Sequence, residues 1–346
     1  MPWRRGKRIG LLLALAALGA WSVSPFFFTG VGKRIGAFPT NLLRLGLAFL
    51  ILLALTGARA WSAPLPFPHA VVWGWLIGSG VIGLAIGDAF LYRAFISIGP
   101  ERTSQIQTLA PAATAALAWF GLHEVLTAMQ LCGMALVLAG VFLATSGALA
   151  AARKARSAAP GREAEAGEEI ALLSAEARME GAVIPVRTVT AALPKPEGYL
   201  RAGLWAAIWS ALFQGLGTVL ARKAFMDQAD LDPLLATTVR IGSGSLALLA
   251  YARWAGPMGP ILGAWRQPGI LRPLVIGTFF GPLIGMICYI TALKHAPAGV
   301  VTTITFMAPL LIIPIGARLY GTRIAAATLW GAALSLAGVA LLGLGR

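Results

Sequence analysis

Of the 346 residues, 58% are apolar and only 12% are charged, about half the charged share of an average soluble domain. With a mean hydropathy of +0.78, this composition excludes an ordinary water-soluble enzyme. The net charge of +15, from 28 Lys and Arg against 13 Asp and Glu, lies almost entirely in the connections, where it would face anionic lipid headgroups. No basic stripe interleaved with aromatics stands outside the apolar runs, so nucleic acid is not an expected partner.

In chain order, ten apolar runs can be drawn at 9–29, 38–57, 71–92, 103–122, 127–146, 202–221, 234–252, 271–292, 298–317 and 324–344. Each has the length of about 20 residues that crosses about 30 Å of hydrocarbon. The first follows Arg4, Arg5, Lys7 and Arg8 and so resembles a secretory signal, with a small-residue cleavage site near Ala20. It continues through Trp21, Val23 and Phe26 to Phe28, too long for a signal's apolar core, and is therefore read as a span. Between the fifth and sixth runs, residues 147–200 are rich in Ala, Glu and Pro and read as a polar linker, partly helical around 168–180. Cys132 and Cys288 both fall inside apolar runs, and the three histidines have no metal-ligand spacing. No metal, cofactor or disulfide framework is therefore expected.

Sliding 76–146 onto 274–344 at a constant offset of 198 gives 18 identities in 71 positions without a gap. They include Gly83 with Gly281, Gly87 with Gly285, Pro111 with Pro309, Gly133 with Gly331 and Gly140 with Gly338. Composition alone does not put prolines and glycines in register. Earlier in each half, Trp21-Ser22 can be set against Trp209-Ser210, and Arg44 against Arg240. Five spans per half make the second half enter the membrane from the opposite side. The expected fold is all-α and integral to the membrane, with ten transmembrane helices as two inverted five-helix repeats over 9–146 and 201–344, the architecture of a secondary transporter. The short connections divide their Lys and Arg evenly, while Arg153, Lys154 and Arg156 near a span end argue against a cytoplasmic amino terminus. Long loops weigh little in that bias, and both termini are read as cytoplasmic in the cell (plasma or inner) membrane.

The run Gly87-Asp88-Ala89-Phe90-Leu91-Tyr92-Arg93-Ala94-Phe95, then Ile98-Gly99-Pro100-Glu101-Arg102, Leu109-Ala110-Pro111 and Leu122-His123-Glu124, resembles the EamA family of the drug/metabolite transporter superfamily. The resemblance covers nearly the whole chain except the linker. The second unit keeps Ala292, Ala308-Pro309 and Gly338, but has Met286 in the place of Asp88 and Thr322 in the place of Glu124, while His123 replaces the family's usual Gly. It implies an exporter or exchanger of amino acids, organic acids or other small metabolites, without naming the cargo. The superfamily also resembles flippases, so a lipid-linked cargo stays open.

Pro111 and Pro309 lie near the midplane and each removes a backbone donor, freeing the carbonyls of Gln107 and Thr305. Matching breaks in both halves point to a central binding site, although a packing kink would look the same. Gln107, Pro111, Thr305 and Pro309 are the candidate substrate-binding residues, with Gln214, Tyr92, Trp21 and Trp209 as further cavity residues or interfacial anchors. Arg44 and Asp88 sit at equal depth below one face and could pair as a gate or coupling site, or else snorkel. Arg240 has the matching depth at the other face with Met286 opposite. It either receives an anionic group of the cargo or reaches Asp227, Asp230 or Asp232 in the adjacent connection. Glu124 opens the fifth span, as a helix-terminal carboxylate or a coupling residue. The bilayer and a small-molecule substrate are the expected partners, with proton or counter-solute coupling and a monomer or homodimer both open. A membrane-embedded enzyme would need a clustered acid pair, a His motif or a metal constellation. A channel would favour rings of like residues over two unlike halves.

Overall fold

The computed structural model describes residues 2–157, 197–255, 261, 263, 267, 269–320 and 325–344. Every element among them is helical: α1 (Pro2–Ile35), α2 (Ala37–Ser62), α3 (Ala70–Gly80), α4 (Gly87–Gln107), α5 (Leu109–Leu122), α6 (Ala128–Ser157), α7 (Glu197–Asp227), α8 (Pro233–Ala255), α9 (Leu271–Thr278), α10 (Met286–His295), α11 (Ala298–Thr305), α12 (Ala308–Tyr320) and α13 (Ala326–Leu344). Two π-helical turns, Val81–Ile86 and Phe279–Gly285, join α3 to α4 and α9 to α10.

Local chemistry sets the boundaries. Gly36, at φ 88°, separates α1 from α2 with one residue, a backbone region that costs glycine little. Thr127 and Gln130 form a reciprocal capping box at the start of α6, with Thr127 N donating to Gln130 Oε1 at 3.0 Å and Gln130 N to Thr127 Oγ1 at 3.3 Å. Asp232 Oδ1 accepts from the amides of Leu234 and Leu235 at 2.8 and 3.1 Å and starts α8.

Nine stretches of described helix are long and apolar enough to cross a membrane, where the hydropathy pattern gives ten. The difference lies at 103–122. Pro111 cannot donate to Gln107, the chain turns at Thr108, and α5 alone has 14 residues. The second half breaks at the matching place, between α11 and α12 at Phe306 and Met307. The fifth run is longer than expected, since α6 continues past Ser146 to Ser157. The last four residues of the expected linker, 197–200, already belong to α7, and 158–196, including the expected helix at 168–180, lie outside the described residues.

Close helix contacts hold the two halves together through small residues. Along α6 and α13, Gly133 meets Gly338 and Gly140 meets Gly331, and a Cβ on any of the four would come within 2.7 Å of the partner's backbone. Elsewhere α1 packs on the second half's π turn, with Trp21 beside Gly285 and Ser24 beside Gly281. In the same manner α7 packs on the first half's π turn, with Gln214 beside Gly87 and Gly217 beside Gly83. Trp21 therefore corresponds in place to Gln214, and Ser24 to Gly217, which shifts the expected pairing of Trp21-Ser22 with Trp209-Ser210 by five residues. A dipeptide match is a weak anchor where helices of similar composition are compared. Glycine contacts are stronger because only one register lets the backbones approach.

Candidate functional site

Both π turns border a central cavity of about 280 Å³ between the halves. A π turn inserts one extra residue into the helix and redirects the backbone, and here Gly83, Leu84, Gly281 and Pro282 form part of the wall. Trp21 lies across it, its Nε1 donating to Gly281 O at 3.1 Å and its ring 5.1 Å from that of Tyr289. The hydroxyls of Tyr289 and Thr218 are 2.7 Å apart.

Three charged side chains line this space among the described residues: Arg44, Asp88 and Arg240. Arg44 Nη2 donates to Asp88 Oδ2 at 3.3 Å and Nε to Asn41 Oδ1 at 2.8 Å, with the guanidinium 5.5 Å from the Phe28 ring centroid. Arg44 in α2 and Asp88 at the start of α4 thus lie within hydrogen-bonding reach of each other. Arg240 is 3% exposed. Its Nη1 donates to the hydroxyl of Ser79 and to Gly217 O. The alternative of an Arg240 reaching Asp227, Asp230 or Asp232 in the α7–α8 connection is overturned, since Arg240 is buried and bound within the bundle to Ser79 and Gly217, while Asp227 binds Lys223 and the Trp75 indole and Asp232 caps α8. A guanidinium held by two helices at a close glycine contact has no slack to snorkel.

Of the other expected residues, Thr305 and Gln214 line the cavity, together with Ala110 and Thr114. Gln107 and Pro111 are buried on a neighbouring stripe of the broken span and stand outside the wall, as does the half-buried Pro309. Gln107 Nε2 instead donates to Ser210 Oγ at 2.8 Å, which also accepts from Gln214 Nε2 at 3.2 Å. The side chain of Tyr92 lies outside the described residues. Trp209 is 45% exposed and stacks on Phe213, away from the cavity.

Glu124 departs from the expected cap of its own span, because Thr127 already fills that role for α6. His123, in the left-handed region at φ 55°, turns the chain so that Glu124 reaches the second half. There its Oε1 accepts from Arg222 Nε at 2.7 Å and its Oε2 from Ala298 N at 3.0 Å. Arg222 Nη1 donates to the carbonyls of Leu293 and Lys294 at 2.6 and 3.2 Å. A carboxylate thus sits at the amino end of α11 and a guanidinium at the carboxyl end of α10, each matched to the helix dipole. Lys294 Nζ donates to Leu231 O at 2.8 Å, and Gln228 Oε1 accepts from His69 N at 3.2 Å, on the same face of the bundle. Arg222 had no motif to mark it in the sequence. Glu124→Ala is expected to lower stability by about 3 kcal/mol, since it leaves a mostly buried guanidinium and an amide without their partner. Thr127→Ala should cost only about 1 kcal/mol, the usual value of a lost cap; similar melting midpoints for the two variants would contradict this assignment.

No curated protein matches the sequence. Among solved structures, one crystal structure of a protein superposes with a TM-score of 0.65 at 16% identity, covering 96% of this chain and 95% of its own. A likeness at that identity speaks for the fold alone. The family model of EamA-like transporters matches residues 8–146 and 201–344, so this chain belongs to the EamA-like transporter family, membrane transporters of the drug/metabolite transporter superfamily.

Proposed function

We propose that the chain is a secondary transporter that exports or exchanges a small organic metabolite, such as an amino acid or organic acid, by alternating access. The observation that carries this reading is the cavity between the halves, into which both π turns and both broken spans converge. Broken helices at matching points of two repeats are where transporters bind their cargo. The fold behind the proposal is ten spans in two inverted five-helix repeats, 9–146 and 201–344, separated by the 147–200 linker. The constant offset of 198 supports it. So do the α6–α13 contacts, in which repeat-equivalent glycines meet crosswise, Gly133 with Gly338 and Gly140 with Gly331. We place the protein in the cell membrane with both termini cytoplasmic. The closed network around Glu124 and Arg222 then lies on the cytoplasmic face and would open when the carrier turns inward.

A volume near 280 Å³ is at the small end of ligand sites and favours a compact metabolite over a lipid-linked one. Saturable counterflow in proteoliposomes tests the reading: internal unlabelled solute should drive transient uphill uptake of the same labelled solute. Linear, non-saturable flux would indicate a channel. Movement of fluorescent lipid between leaflets without solute counterflow would indicate a flippase.

A further inference from the structure

The three charges in the cavity are not equivalent. Arg44 is answered by Asp88 and Asn41, so the pair contributes no net charge and Arg240 leaves the wall with a surplus of one positive charge among the described residues. Arg240 is also fixed in orientation. Nη1 is committed to Gly217 O and to Ser79, whose hydroxyl donates onward to Gly217 O. Its Nε is buried and has no acceptor. Beside Nη2 stands Gly83, where a Cβ would lie 3.2 Å from that nitrogen and 3.3 Å from Gly217 Cα, so only a glycine lets the guanidinium lie against this backbone crossing.

An orphaned guanidinium N–H deep in a membrane protein is costly unless a ligand or water satisfies it. Nε and Nη2 form the edge of arginine that offers two parallel N–H bonds, the fork that fits a planar carboxylate. Building on the carrier reading above, we infer that this edge of Arg240 is the seat for one carboxylate of the cargo, and that the cargo is a small monocarboxylate with an apolar body. The charge surplus of one matches a single carboxylate. A second carboxylate would meet Asp88, and a doubly charged phosphate would exceed the surplus. Trp21, Met286, Tyr289 and Phe306 supply the apolar wall for the remainder of the molecule. Ser79 is a positioning residue: it holds Nη1 and so fixes the orientation of the opposite edge. Ion pairing at a fixed fork gives discrimination by geometry as well as by charge.

The test is calorimetric titration of the full chain in detergent with four probes of one ring size: benzoate, its neutral counterpart benzamide, terephthalate and phenylphosphonate. Benzoate should bind at least about tenfold more tightly than benzamide, the usual cost of removing a charge-assisted fork, and more tightly than either dianion. Arg240→Lys keeps the charge and loses the fork, so benzoate affinity should fall about tenfold while that of benzamide is unchanged. Ser79→Ala should weaken benzoate severalfold and again spare benzamide, a selectivity that mere loosening of the bundle would not produce. Equal affinity for benzoate and benzamide in the wild-type chain, including no binding of either, overturns the inference even if the variants fail to fold. So does tighter binding of a dianion. Counterflow separates the two readings. Binding of benzoate without its counterflow retains the seat and removes the carrier. Counterflow of neutral or cationic solutes with no carboxylate preference retains the carrier and removes the seat.

Discussion

Asp88→Asn is expected to bring counterflow close to background and to lower stability by about 2 kcal/mol, whereas Arg44→Gln combined with Asp88→Asn should regain most of the stability and none of the transport. Removing one member of a buried ion pair is far more damaging than removing both, because the remaining charge keeps its desolvation cost without its partner. The full penalty for such a break is about 3 to 5 kcal/mol. Arg44 softens it, since its side chain is 26% exposed and keeps the Asn41 oxygen and the Phe28 ring. Transport depends on the pair in a different way. With Asp88 neutral, the cavity carries two unanswered cations instead of one, and a cargo anion meets a second, competing site at Arg44. The double variant restores the charge count but removes the ion pair at the end of the cavity against which the cargo is aligned. Wild-type counterflow in Asp88→Asn would contradict the role given to the pair. A double variant no more stable than the single one would contradict its energetics.

What could be read from the sequence follows the physics that leaves a one-dimensional trace. Hydrocarbon thickness sets the length of the apolar runs, and close backbone approach fixes glycines, so the spans and the offset of 198 were legible. The depth of Arg44 and Asp88 could likewise be counted in residues along their spans. Interactions that depend on rotation about the helix axis left no such trace. Ser79 is one of many small polar residues in apolar helices, and nothing in its neighbours tells that it grips Arg240. Gln107 and Pro111 flank the break in their span, yet the residues that reach the cavity are Ala110 and Thr114 on the adjoining stripe. The π turns have no composition of their own, since Val81–Ile86 reads as ordinary membrane helix. Glu124 was recognisable as a helix-terminal acid, but the helix it serves is α11, 174 residues further along the chain.

Gly140→Leu should prevent stable folding, and Gly133→Leu should do the same, while Gly19→Leu on the lipid-facing side of α1 should be tolerated. The small residues of α6 at 133, 137, 140 and 144 alternate steps of four and three, and those of α13 at 328, 331, 335 and 338 do so as well. This 3.5-residue period keeps one narrow stripe on each helix facing the other. The stripe is so small that backbones touch: a Cβ on Gly140 would lie 2.4 Å from Gly331 O, and one on Gly133 would lie 2.7 Å from Gly338 O. Interhelical bonds from Ser335 Oγ to Val137 O and from Thr328 Oγ to Ala144 O, both 3.2 Å, depend on that proximity. Leu at position 140 cannot move aside, because what it meets is backbone, and the helices would have to separate by several ångströms. Ordinary overpacking costs about 1 to 3 kcal/mol; here lost dispersion contacts and two unmet hydroxyls add to it. Gly19 has no atom within 4 Å of its would-be Cβ, so the same added side chain meets lipid. The readout is monodisperse yield and melting midpoint in detergent. A Gly140→Leu protein that purifies and melts like the wild type would mean that the close approach of α6 and α13 is not needed for the fold.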